Sequence, residues 1–126
     1  MGALTTAAAA GRAFGAPAVQ PPPPHLIIED SRYAESAAFA AQAGAPVFRI
    51  DGDVTALWYE RLDRDWRTRQ SVVAGLTGAD ALFCLERLAM DRGLRAVFKV
   101  ERQPASGERP ALVHWIIAPK PRGAGA

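Results

Sequence analysis

Short apolar runs recur through the middle of this chain, each followed by a polar or glycine-bearing segment. His25-Leu26-Ile27-Ile28-Glu29 is β-branched and continuously apolar, the pattern of a strand covered on both faces. Asp30 or Ser31 then caps a helix that reaches about Gln42. Tyr33, Ala37, Ala40 and Ala41 can share one face of that helix, and Gly44 ends it. Val47-Phe48-Arg49-Ile50 reads as the second strand. Asp51-Gly52-Asp53 turns the chain, with Asp53 as N-cap of a second helix. Trp58, Leu62 and Trp66 follow four apart and form one stripe, expected to lie in the core.

The third strand is Ser71-Val72-Val73-Ala74-Gly75. Thr77 and Asp80 then make a capping-box-like pair opening a third helix. Its inner face would use Ala81, Cys84 or Leu85, Leu88 and Ala89, and Arg92 with Gly93 would close it. Leu94 to Val100 is a fourth strand, Gln103 to Pro110 a turn-rich loop, and Leu112-Val113-His114-Trp115-Ile116-Ile117 a fifth strand. No helix fits between the last two strands, so they should pair antiparallel as a hairpin. This order predicts an α/β fold: a small three-layer, flavodoxin-like or Rossmann-like, mostly parallel sheet with an antiparallel edge hairpin. The first strand is expected to be central and the last strand an edge. Residues 25–119 would form this single domain, with disordered tails at 1–24 and 120–126.

Composition narrows the functional classes. The chain has 126 residues, 49% hydrophobic and 22% charged, which is ordinary for one globular domain. Fifteen Lys+Arg stand against thirteen Asp+Glu, and the two signs interleave from Tyr59 to Arg69. That balance, without a basic stripe among aromatics, argues against nucleic acid as a partner. Arg61, Arg64, Arg67 and Arg69 alternating with Glu60, Asp63 and Asp65 read as a solvated helix face with local ion pairs, or as a partner-docking surface. The single cysteine, Cys84, cannot make an internal disulfide and is expected as a buried small hydrophobe. No apolar run approaches the ~18 residues of a membrane span.

The front end carries a separate signal. Ala13-Phe14-Gly15 followed by Ala16 fits the small-x-small pattern of a signal-peptidase site. The weakly hydrophobic Ala/Gly/Thr run before it resembles the tail of a twin-arginine-type export signal, without the paired arginine. The resemblance implies that Met1 is an internal codon and that the protein is periplasmic or secreted; otherwise it is cytoplasmic. Pro21–Pro24 favour polyproline II and would act as a stiff spacer.

Open parallel sheets bind ligands at the carboxyl ends of their strands, where strand order reverses. The expected ligand-binding residues are therefore Glu29, Asp30, Ser31, Arg32, Asp53, Thr77 and Gly78. Two chemistries fit that edge. Thr77 with the amides of Gly78 and Ala79 can make an anion pocket, with Arg32 as counter-charge. Alternatively Glu29, Asp51 and Asp53 can hold Mg²⁺ through oxygen ligands. A glutamate after the first strand plus an Asp-x-Asp after a later one resembles the Toprim domains of primases and topoisomerases. In that family the Asp-x-Asp follows a later strand than here, and a glycine stands where this chain has Asp30.

Other machineries lack their residues. The third strand ends without the aspartate of receiver-type phosphotransfer, and there is no Gly-x-Ser-x-Gly elbow. His25 is expected exposed, and His114 a satisfied core or edge histidine. The reading that follows is an exported, small ligand- or partner-binding accessory protein without catalysis or cofactor of its own. It would bind a small molecule or a protein through the sheet edge or the arginine-rich helix. The alternative is a metal- or anion-dependent enzyme at the carboxylate edge. A homodimer through an edge strand is a further possibility.

Overall fold

The computed structural model describes residues 22–105 and 109–120. The signal-like residues 1–21 and residues 106–108 and 121–126 lie outside the described residues. Strand β1 (Leu26–Asp30) leads into helix α1 (Ala34–Gln42) and strand β2 (Val47–Ile50). Helix α2 comprises Thr55–Leu57, one π-helical turn at Trp58–Leu62, and Asp63–Thr68. Strand β3 (Val73–Gly78), helix α3 (Ala79–Met90), strand β4 (Leu94–Arg102) and strand β5 (Leu112–Pro119) complete the order.

The five strands form one mixed sheet in the order β2-β1-β3-β5-β4. β1 runs parallel to β2 and β3, while β5 is antiparallel to β3 and β4. All strands but β5 therefore share one direction. This corrects two expectations: β3, not β1, is central, and the edge strand of the hairpin is β4, not β5. Composition explains the swap. β5 buries Val113, Trp115 and Ile117 on one face and Leu112, Ile116 and Ala118 toward the other, so it needs neighbours on both sides. β4 carries exposed Arg95, Lys99, Glu101 and Arg102 and tolerates an open side.

Helices cover both faces. α1 lays Phe39, Ala40 and Ala43 against Ile27, Ala74 and Ile116. α2 and α3 bury Leu57, Leu62, Trp66, Leu82 and Leu85 against Ile28, Val73 and Trp115. The crossovers β1-α1-β2 and β2-α2-β3 step in opposite directions along the sheet. Right-handed connections then place their helices on opposite faces. The π turn sets the register of α2. Leu57 and Leu62 are five apart and both buried, a spacing that an unbroken α-helix would rotate apart. Trp66 continues that stripe, and Trp58 packs edge-on against it with ring centroids 6.3 Å apart.

Several local expectations shift. The N-cap of α1 is Tyr33, with no side-chain cap bond, and not Asp30 or Ser31. The buried side of α1 is Ser36 and Ala40, while Ala37 and Ala41 are exposed. Cys84 and Phe83 are exposed, because Leu82 and Leu85 take the inner positions of α3. β3 starts at Val73 and runs on to Gly78, and Gly78 itself is the N-cap of α3. The Thr77–Asp80 capping box does not form: the Thr77 hydroxyl faces the core and donates to Gly78 O. Among the described residues no helix is long and apolar enough to cross a membrane.

His114 lies on the α1 face of β5, between Phe39 at 4.8 Å and Phe98 at 5.1 Å, both edge-on. Burial pushes its pKa below the ordinary histidine value, and Arg102 adds to the effect. The folded state thus resists protonation that the unfolded chain accepts. Stability should be level above the unfolded value of ~6.5 and fall as pH drops below it. His114→Phe should flatten that decline. Melting temperature against pH, from 8 down to ~5, measures it; an unchanged slope in the variant would remove His114 as the source.

Candidate functional site

The strand order reverses between β1 and β3, since β1 is followed by β2 on one side and β3 on the other. The carboxyl ends of these two strands are Asp30 and Gly78. Asp30 has no exposed side-chain surface. Its Oδ2 accepts from the Gly78 amide at 3.0 Å and from Arg32 Nη2 at 2.8 Å. Its Oδ1 accepts from Arg32 Nε at 3.0 Å and from the Arg32 amide at 3.2 Å. Arg32 turns its outer edge to Asp80, donating from Nη1 at 3.0 Å and from Nη2 at 2.8 Å. One guanidinium is therefore gripped bidentately by two carboxylates. The Arg32 pair holds the Asp80 carboxyl below the usual carboxylate range.

Backbone geometry makes room for this clamp. A Cβ at Gly78 would fall 2.5 Å from Arg32 Nη2 and 2.8 Å from the Tyr33 hydroxyl. The Tyr33 ring lies under Arg32 at 5.4 Å, and its hydroxyl donates to Pro110 O at 2.7 Å. Ser36, fully buried, accepts from the Asp30 amide at 2.8 Å. The crevice where the sheet would take a ligand is filled by the chain's own arginine. Four of the five N–H groups of Arg32 are engaged there, so its charge is already answered.

The expected site residues separate into three places. Asp30, Arg32 and Gly78 meet in the clamp. Thr77 lies beneath it on the α2/α3 face, accepting from Trp115 Nε1 at 3.0 Å. Glu29 pairs with Arg49, its register neighbour on β2, at 3.3 Å. Ser31, Asp51 and Asp53 line a separate depression of ≈350 Å³ with Phe48, Arg49, Ile50 and Ala56. The N-cap of α2 is Val54 and not Asp53 as expected. Asp53 stands one residue earlier, where its Oδ1 accepts from the Thr55 amide at 2.9 Å and hydroxyl at 2.7 Å, which lowers its pKa. Asp51 and Asp53 are the carboxylates that could face a cation in that depression. Glu29 is committed to Arg49, and among the described residues no three His, Cys, Asp or Glu side chains are grouped to hold a metal ion.

The opposite rim of the sheet holds a larger concavity, of ≈460 Å³. It opens at the starts of β1 and β3 and is walled by α2. Leu26, Leu62 and Val73 contribute apolar surface, and Ser71 and Thr68 contribute hydroxyls. Arg61, Arg64 and Arg69 stand around it with His25, Glu60 and Asp65. Asp65 is occupied, accepting from Arg69 Nε at 3.2 Å, from Ser71 Oγ at 3.0 Å and from the Ser71 amide at 3.3 Å. Arg67 pairs with Asp63 at 3.2 Å, outside the concavity. Among the described residues Arg61 and Arg64 have no ion-pair partner. The local ion pairs expected along this helix are thus present at Arg67 and Arg69 and missing at the two arginines beside the concavity.

Sequence reasoning missed Asp80 and Ser36 as partners of the clamp. The Asp30-Ser31-Arg32 spacing was the available signal, since an arginine two residues after a strand-end aspartate can fold back onto it. Compared with known proteins, the chain matches no family model, no curated protein and no solved structure.

Proposed function

We propose that this chain is a small exported binding protein, performing no chemistry itself, that holds an acidic ligand on the arginine-bearing wall of α2. The carrying observation is the pair Arg61 and Arg64, free of ion pairs among the described residues and beside a ≈460 Å³ concavity. That volume falls within the range of small-ligand sites, roughly 300–1,000 Å³. Apolar surface from Leu26, Leu62 and Val73 would take the ligand's body, while the guanidiniums take a carboxylate or phosphate. The same chemistry suits a small organic acid or an acidic segment of a partner protein.

The β2-β1-β3 order with helices on alternate faces supports a flavodoxin-like reading of the parallel part of the sheet. In such a sheet the carboxyl-end crevice is the usual ligand site. Here Arg32 fills it, which favours the other rim. Export rests on the signal-peptidase-like Ala13-Phe14-Gly15 and the proline run after it.

Calorimetric titration with inorganic phosphate, citrate and a short polyglutamate peptide tests the reading. At least one should bind, and the peptide arm separates a protein segment from a free anion. Arg61→Ala with Arg64→Ala should weaken binding roughly ten- to a hundredfold, about 1.5–3 kcal/mol for a lost charge-assisted contact. No binding by any probe, or binding that the double variant leaves unchanged, refutes the site. Fractionation that keeps the full-length protein in the cytoplasm refutes export.

A further inference from the structure

β4 is an edge strand whose outer side pairs with nothing among the described residues. We propose that two copies of this chain join through it, antiparallel, about a two-fold axis perpendicular to the sheet at Val100. The contact is remote from the α2 concavity and does not rest on it.

Register with β5 fixes which way each β4 side chain faces. Lys99 and Glu101 lie opposite Trp115 and Val113, hence on the α2/α3 face. Phe98, Val100 and Arg102 lie opposite Ile116, His114 and Leu112, on the α1 face. An axis perpendicular to the sheet keeps each residue on its own face, so the pairing must be centred on a residue and not between two.

Four centres use the outer half of β4. Centring on Phe98 runs into the bulge between Ala96 and Phe98. Centring on Lys99 sets that ammonium against its own copy, and centring on Glu101 does the same with carboxylates. Directly opposed like charges are destabilising. Centring on Val100 sets Lys99 opposite the partner's Glu101, twice by symmetry. It also sets Val100 against the partner's Val100 and Phe98 against the partner's Arg102, a pairing suited to a cation over a ring.

Edge charges ordinarily discourage strand addition. The alternating signs on this edge instead complement their own copy at a single register. An exposed apolar side chain stands beside the axis on each face of the sheet, Val100 on the α1 face and Phe83 on the α2/α3 face. Phe83 is 62% exposed and Val100 43% exposed. Phe83 shares a shallow depression with Lys99 and Glu101, on the side where the axis passes. Lys99 already reaches Glu86 at 3.2 Å, and the partner's Glu101 would give it a second carboxylate. The two five-stranded sheets would become one continuous sheet.

Sedimentation velocity of the full chain across a concentration series tests this. The wild type should pass from one-chain to two-chain mass as concentration rises. Lys99→Glu and Glu101→Lys should each weaken the dimer at least ~tenfold, by opposing like charges. The double reversal Lys99→Glu with Glu101→Lys restores complementarity and should restore the dimer. Val100→Glu, at an exposed position, should give monomer with an unchanged far-ultraviolet circular dichroism spectrum. A wild type that stays monomeric at every concentration overturns the proposal. So does a dimer indifferent to the single reversals, or a double reversal no better than either one.

Discussion

Asp30→Ala is expected to cost this domain about 3–5 kcal/mol of unfolding free energy, the loss typical of removing one partner from a buried ion pair. Asp30 is fully buried and answers donors from two elements, the Gly78 amide and the Arg32 side chain. Alanine strands the Gly78 N–H, a buried donor whose desolvation alone costs about 1–3 kcal/mol. It also leaves Arg32 held only by Asp80, whose side chain is half exposed. Asp30→Asn keeps the shape, but its NH₂ group must face either the Gly78 amide or the guanidinium, donor against donor. It should lie between wild type and alanine. Urea unfolding followed by circular dichroism measures both. A loss under ~1 kcal/mol, the worth of an exposed pair, would mean that the clamp contributes no more than a surface contact. The pH dependence has a defined sign. The Asp80 carboxyl is held low by Arg32, so its share of stability is complete above the ordinary carboxylate range. That share is lost as pH falls through the depressed folded value.

The strength of this clamp explains why the functional edge was harder to read than the fold. Runs at Leu26–Asp30 and Leu112–Pro119 announce themselves, because a covered strand must be apolar on both sides. The sequence also marks the turn at Asp51–Asp53, where Asp53 accepts from Thr55 two residues on, a contact decided locally. Neighbour relations are decided over longer distances. That β5 inserts between β3 and β4 follows from comparing its two buried faces with the charged β4, a comparison across strands. Arg32 looked like a free counter-charge because its second carboxylate, Asp80, comes 48 residues later. Thr77 looked like a cap because its hydroxyl partner, the Trp115 indole, comes 38 residues later. Cys84 and Leu85 are adjacent on one helix, and only the docking angle of α3 turns the thiol outward. The concavity beside Arg61 and Arg64 had no local signature: it is a gap between α2 and the starts of two strands.

Trp115→Ala should match the loss at Asp30, at about 3–5 kcal/mol for a buried Trp truncated to Ala. Trp115 is completely buried on β5, opposite Gly75 of the central strand. Its ring occupies the space that a side chain at Gly75 would need. A Cβ there would approach Trp115 Cζ2 to 2.7 Å and Ile28 O to 3.0 Å. Its indole N–H also satisfies the buried Thr77 hydroxyl, which donates in turn to Gly78 O beside the Arg32 clamp. Trp115→Phe keeps part of the ring and drops the N–H, and Thr77 retains its bond to Gly78. That variant should lose about 1–3 kcal/mol. Gly75→Ala should cost about 1–3 kcal/mol by overpacking. Contact between the two positions makes the effects non-additive. Once Trp115 is alanine, the added methyl at position 75 meets space where it met a ring. Gly75→Ala should then cost less than in the wild type, with the Ile28 carbonyl setting the remainder. A double-mutant cycle read by urea unfolding measures this coupling. Additivity within ~0.5 kcal/mol would show that the ring and the glycine notch do not determine one another. β3 and β5 would then be held by their ladder and the surrounding apolar packing alone.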